Sequence, residues 1–206
     1  MINMLGTLYI ISAPSGAGKT SLIKELLQQV DKLELSVSHT TRAKRAAEID
    51  GRDYHFIDKT KFQQMVGNHQ FVEHAYVFDN FYGTSADHIQ EDLDLGIDII
   101  LEIDWQGAEQ VKQKFAHCIS VFILPPSKDE LYQRLKGRGQ DSEQVIEGRM
   151  QQAVSEMVHY KQYDYIIVND DFSVALEQLK SIMQSKRLEK DRQIFNHQQL
   201  IKDLLE

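Results

Sequence analysis

Short runs of Ile, Val and Leu alternate along the chain with longer stretches in which apolar positions recur every three or four residues. Leu8–Ile11 reads as a buried strand, followed by a Gly-rich turn and a helix reaching about Val30. Leu33–Ser38, Ile97–Ile103, Ile119–Leu124 and Tyr165–Val168 are further strand candidates. Runs rich in Ile, Val and Leu of this kind fit parallel strands covered by helices on both faces. Between them lie helical patterns at Gln106–Phe115, at Lys128–Lys136 with the capping box Ser127-x-x-Glu130, and at Glu143–Tyr160. A last one runs from about Ser173 to the end, with a single break. Strand–helix alternation predicts an α/β protein with a doubly wound parallel sheet.

From about Thr40 to His88 the rhythm changes. Aromatic strand candidates at Tyr54–Ile57, Phe71–Tyr76 and Phe81–Thr84 surround one short helix, Lys59–Val66. This segment, 40–88, is expected to be a small inserted β-rich lobe, leaving 1–39 and 89–206 as the core. Gly137–Asp141 is a second interruption, a short polar loop.

Composition narrows the function classes. The 206 residues are 42% hydrophobic and 26% charged, which is too apolar for a disordered chain. The net charge of -8 disfavours long nucleic acid as a partner. No apolar run approaches the ~20 residues that cross a bilayer, so no membrane partner is expected. The first residues carry no charged segment followed by a long apolar one, so a cytoplasmic location is expected. A single cysteine, Cys118, excludes an internal disulfide framework, and it is expected to pack beside its strand, as is Trp105. The eight histidines show no metal-ligand spacing.

The chemistry starts at Ser12-Ala13-Pro14-Ser15-Gly16-Ala17-Gly18-Lys19-Thr20-Ser21, between the first strand and its helix. Backbone N–H groups and a helix N-terminus make an anion cradle there. Lys19 can reach β- and γ-phosphates, and the Thr20 hydroxyl can ligate Mg²⁺. The strict Walker A pattern has Gly where Ala13 stands, and a Gly-rich turn that binds nothing has the same outline. Asp104-Trp105-Gln106-Gly107 matches the D-x-x-G of GTPases, but no N-K-x-D follows. Asp104 is instead placed at a strand end, like a Walker B acid, or is simply a solvated acid. On spacing alone, Arg42 and Arg45 fit either an exposed basic patch or a two-arginine phosphate clamp.

Taken in series, Thr40-Thr41-Arg42-x-x-Arg45-x-x-Glu48-x-x-Gly51-x-x-Tyr54-x-Phe56 resembles the signature of the guanylate kinase family. The phosphate loop is similar to that family's variant, in which Ala13 is no defect. The resemblance continues through Phe81-Tyr82-Gly83-Thr84, Leu101-Glu102-Ile103-Asp104-Trp105-Gln106-Gly107, Arg134-Leu135-Lys136-Gly137-Arg138-Gly139 and Ile167-Val168-Asn169-Asp170, over about residues 7 to 190. Ala46-Ala47 departs from a usual Pro-Gly, and the tail beyond about Leu188 carries no motif.

The resemblance implies transfer of a phosphoryl group from ATP to GMP, with Mg²⁺ as cofactor. It places the GMP phosphate on Ser38, Arg42, Arg45 and Tyr54, with Tyr82 helping. It gives guanine to Glu73, with Thr84 at O6 and Glu102 nearby. Arg134, Arg138 and Arg149 match arginines in and beside a lid over ATP, about 134–149, and Asn169 matches a position that contacts adenine. Read without the family, Glu73 is a strand-edge acid and the two tyrosines are packing aromatics. Two other functions stay open: a non-catalytic module that binds phosphopeptides, and a kinase of another phosphorylated acceptor. So does a homo-oligomer.

Overall fold

A computed structural model describes residues 6–77, 79–87, 89–137 and 143–206. The chain begins with β1 (Leu8–Ser12), α1 (Lys19–Gln29), β2 (Leu33–Leu35), β3 (His39–Thr40) and β4 (His55–Phe56). It continues through α2 (Lys59–Gly67), β5 (Phe71–Val77), β6 (Asn80–Ser85), α3 (Ile89–Asp94), β7 (Asp98–Glu102) and α4 (Trp105–Lys114). Next come β8 (Ile119–Leu124), α5 (Lys128–Lys136), α6 (Glu143–Met157), a 3₁₀ turn (Val158–Gln162) and β9 (Tyr165–Val168). Helices α7 (Phe172–Arg187), α8 (Lys190–Asn196) and α9 (Gln198–Leu205) end it.

The expected doubly wound sheet is present: five parallel strands in the order β2-β7-β1-β8-β9. All five residues of β1 are buried, because successive side chains enter opposite layers. Tyr9 and Ile11 pack with Leu22, Leu26, Leu176 and Leu179 of α1 and α7. Leu8 and Ile10 pack with Ile89 and Leu93 of α3 and with Ala108 and Val111 of α4. The chain builds β2 and β7 on one side of β1 and then β8 and β9 on the other. The C-terminal end of β1 therefore sits at the switch point where open α/β sheets bind ligands.

A second sheet, in the order β4-β3-β6-β5, takes its strands from residues 39–85. Its small core is Phe62, Met65 and Phe71, with the Phe62 ring stacked on Phe71 at 4.7 Å. In the β5–β6 hairpin, Phe71 pairs with Ser85 while Glu73 pairs with Thr84, so Val72 is an extra residue in a bulge. That bulge lets Phe71, Val72 and Glu73 all be buried, each in different surroundings, where strict alternation would expose one.

The terminal helical pattern breaks twice rather than once, at Leu188–Glu189 and at His197. Beside the first break, the fully buried Asp98 carboxylate accepts from the Thr7 N–H (2.7 Å), Arg187 Nε (2.7 Å) and Arg192 (2.8 Å). This ties α7 and α8 to the start of β7. Arg192→Ala removes the bond to Asp98 and two longer ones to Thr7 Oγ1 and the Gly96 carbonyl (3.4 Å each), and leaves Arg187 in place, an expected cost of about 2 kcal/mol. The melting temperature should then fall by about 4–8 °C in calorimetry. An unchanged value would show that Arg192 does not dock the helix.

Candidate active site

The phosphate loop owes its shape to two glycines. Gly16 and Gly18 both hold φ of 93°, a left-handed conformation costly to residues with a side chain. No positive φ occurs at Ala13, so that position has no need of glycine, and its methyl packs against the core. The N-cap of α1 is Gly18, with no side-chain cap, which leaves the first-turn N–H groups to an anion. Asn169, only 4% exposed at the end of β9, donates from Nδ2 to the Ala17 carbonyl (2.7 Å). Its amide nitrogen fills the space that a Cβ on Gly18 would need. Asn169 therefore braces the loop from behind.

Helix α6 reaches the same loop. Arg149 donates to Ser15 Oγ at 2.6 Å, and Glu156 lines the cleft beside the same loop. Burial raises the Glu156 pKa, while the Lys19 charge and the Ser15 N–H pull it down and the Asp104 charge raises it. Glu156 is absent from the expected site residues. A signal existed, because Ile146, Arg149, Ala153 and Glu156 follow one another at helical spacing. A charge on a buried stripe needs a partner.

Oxygen ligands gather across the loop, on β7 and just beyond it. Thr20 Oγ1 donates to Glu102 Oε1 at 2.6 Å, and Lys19 Nζ stands 3.8 Å from the same oxygen. Asp104 is the N-cap of α4: its Oδ1 accepts from the Gly107 N–H (2.9 Å), and Gln106 Nε2 reaches Oδ2 at 3.2 Å. The carboxylate beside Thr20 is thus Glu102, while Asp104 faces the cleft from its cap.

The opposite wall comes from the lobe. Glu73, 3% exposed, accepts from the Thr84 hydroxyl at 2.6 Å, and Thr84 Oγ1 lies 3.2 Å from Ser38 Oγ. Burial pushes the Glu73 carboxyl up to about 7, against the Thr84 hydrogen bond. Tyr54 and Tyr82 meet edge to face with centroids 6.0 Å apart. Both walls enclose one cleft of about 290 Å³. It is lined by loop residues 13–16 and 18–21 and by Ser38, Tyr54, Glu73, Tyr82, Glu102, Asp104 and Glu156.

The arginines are distributed differently. Arg42 donates to Glu48 Oε1 at 2.7 Å, and its guanidinium lies 5.6 Å from the Tyr54 ring centre. The Arg45 backbone N–H donates to the other Glu48 oxygen at 2.8 Å. One carboxylate thus organises the turn carrying both residues, although neither lines the cleft. Arg134 is held within α5 by Glu130 at 2.8 Å, and at the start of the same helix the Ser127 hydroxyl accepts from the Glu130 N–H at 3.0 Å. Arg138 and the Gly139–Asp141 part of the expected lid lie outside the described residues.

A phosphate loop at the switch point of a parallel sheet, facing a buried carboxylate across one cleft, defines a phosphate-loop nucleotide-binding protein. The family model described as Guanylate kinase matches residues 5–186. Guanylate kinase of Photorhabdus laumondii is 58% identical over 202 residues, covering 97% of this chain and 98% of the relative. Guanylate kinase of Escherichia coli K12 is 55% identical over 202 residues, with the same coverage. The crystal structure of guanylate kinase from Anaplasma phagocytophilum superposes with a TM-score of 0.78 at 33% identity, covering 93% of this chain and 91% of that one. The chain belongs to the guanylate kinase family.

Proposed function

We infer that the chain catalyses ATP + GMP → ADP + GDP. The observation that carries the choice of acceptor is the buried Glu73 carboxylate, held by the Thr84 hydroxyl and lining the cleft shared with the phosphate loop. Guanine presents N1–H and N2–H₂ side by side, and an ionised carboxylate accepts both; adenine offers a bare N1 and no N2 amine. In this reading residues 40–88 are the GMP-binding lobe. Glu73 and Thr84 take the base, and Ser38, Arg42, Arg45 and Tyr54, with Tyr82, take the phosphate. Loop residues 13–21 take the ATP phosphates, and Lys19, Arg134, Arg138 and Arg149 supply positive charge to the moving group. Asn169 serves through the loop it braces.

The GMP phosphate is largely ionised at neutral pH, since a phosphate monoester has a second pKa of about 6. No protein base is therefore needed to activate it. The transition state is loose and spreads negative charge over the transferred group, so the protein's work is alignment and charge stabilisation. Lys19 and Arg149 converge on the loop from α1 and α6 and are placed for that task. Closure of the lobe over the cleft is expected to keep water from competing with GMP.

Among the described residues, no cluster of three or more His, Cys, Asp or Glu side chains stands ready for a cation. The Thr20 hydroxyl with Glu102 and Asp104 is a hard-oxygen set that fits Mg²⁺, which takes most of its ligands from phosphates and water. These residues would hold the ion where it would neutralise charge on the ATP phosphates. Asn caps helices as well as Asp does, so Asp104→Asn should keep α4 while removing a charge. The expected result is a rise of about 10-fold in the Mg²⁺ concentration giving half-maximal activity, the scale of one charged contact. An unchanged Mg²⁺ titration would remove Asp104 from the metal site.

No helix among the described residues is long and apolar enough to cross a membrane, and we place the reaction in the cytoplasm. The test is a coupled ADP-release assay with ATP and each of GMP, AMP, CMP and UMP. Turnover with GMP far above the others is expected. Preference for another monophosphate, or no ADP release at all, would overturn the reading.

A further inference from the structure

Gly107 has a role that the phosphate loop and the substrate contacts do not explain. It is buried in the first turn of α4, and its φ is not positive, so its backbone suits any residue. What excludes a side chain is the neighbour. A Cβ at this position would stand 2.6 Å from Glu73 Oε2, 3.0 Å from Cδ and 3.3 Å from Cγ. A flexible glutamate would ordinarily swing away from such a contact. Here the other carboxylate oxygen is held by Thr84, and the whole group is buried.

Nor can the strand retreat, because the same helix grips it on both sides of Glu73. Gln110 exchanges two hydrogen bonds with the His74 backbone, donating to its carbonyl (2.8 Å) and accepting from its N–H (3.1 Å). Lys114 Nζ donates to the Val72 carbonyl (2.5 Å) and the Phe71 carbonyl (3.3 Å). Residues 107, 110 and 114 are spaced i, i+3 and i+7, one face of an α-helix. A helix of the core thus fixes both the backbone of β5 and the seat of its acid.

We propose that Gly107 is a specificity-determining position: its bare Cα face seats the Glu73 carboxylate, and the Gly107–Gln110–Lys114 face of α4 sets where guanine N–H groups meet it. The proposal rests on the reading of Glu73 as the guanine acceptor. Gly107 is then a positioning residue, acting on the base through Glu73; its backbone N–H, which bonds to Asp104, is retained when alanine replaces it.

Gly107→Ala tests it, since alanine suits a helix better than glycine and adds only the methyl in question. Steady-state kinetics should show KM for GMP raised about 10-fold or more, the scale of a displaced charged hydrogen bond. The GMP/AMP ratio of kcat/KM should fall similarly, with KM for ATP unchanged. A folded G107A protein with wild-type KM for GMP and an unchanged ratio overturns the proposal, as does an equal loss for ATP. Should G107A not fold, Glu73→Ala removes the three atoms nearest to its methyl, and the E73A/G107A double variant is then expected to fold. Failure of the double variant overturns the proposal as well. Glu73→Gln separates the two layers. If E73Q leaves the GMP/AMP ratio unchanged, the reading of Glu73 has failed; if E73Q moves the ratio and folded G107A does not, only this inference has.

Discussion

Lys19→Ala lowers kcat by about 10²- to 10³-fold, the effect of deleting one preorganised group that meets charge developing in the transition state. The argument starts from position. Lys19 is the first residue of α1, past the uncapped Gly18, so its ammonium enters the cleft with the free N–H groups of the helix start. In the free protein it stands 3.8 Å from Glu102, a partner that holds the chain extended toward the phosphate site. Fold and GMP binding should survive the change, because the Glu73–Thr84–Ser38 group is built from the lobe and the segment leading into it. The measurement is kcat by the coupled assay together with GMP affinity by calorimetry. Near-normal turnover, or a loss confined to GMP affinity, would show that Lys19 is not the group that meets the transferred phosphoryl.

Much of this arrangement is legible in the amino-acid sequence, and the exceptions have physical causes. The core strands are short segments rich in Ile, Val and Leu, a signal that survives without any knowledge of neighbours. β3 (two residues) and α3 (six) are absent from the expected elements because so short a segment shows no period. They exist through tertiary contact: β3 pairs with β4 and β6, and α3 buries Ile89 and Leu93 against the sheet. Among site residues, the phosphate loop is local and was readable whole. Glu156 and the pairing of Thr20 with Glu102 depend on elements over 80 residues apart in the chain, which spacing cannot join. The bulge at Val72 is a further case, since it is a property of the β5–β6 pairing and not of the Phe71-Val72-Glu73 triplet itself.

Glu73→Gln cuts kcat/KM for GMP by about 10²-fold, if a charged hydrogen-bond pair is worth about 3 kcal/mol. The amide puts a donor where guanine also presents donors, and burial leaves no water to relieve the mismatch. AMP turnover should fall less or rise, with ATP binding unchanged. The wild-type acid carries a second, pH-dependent signature. Its pKa is pushed up to about 7 by burial, so near neutrality much of the free protein holds a neutral carboxyl, which cannot accept from both guanine N–H groups. Guanine binding therefore expels that proton, and KM for GMP should fall as pH rises toward and through about 7. The sign for folding is opposite. The folded state holds a proton that the unfolded chain has released above its ordinary value of 4.5, so this group's contribution to stability declines from there up to about 7. The GMP phosphate titrates near pH 6 and would blur a single profile. Dividing the wild-type profile by that of E73Q removes it, because both variants bind the same phosphate. A ratio that is flat across pH, or a GMP/AMP preference that survives the substitution, would show that Glu73 does not read the base.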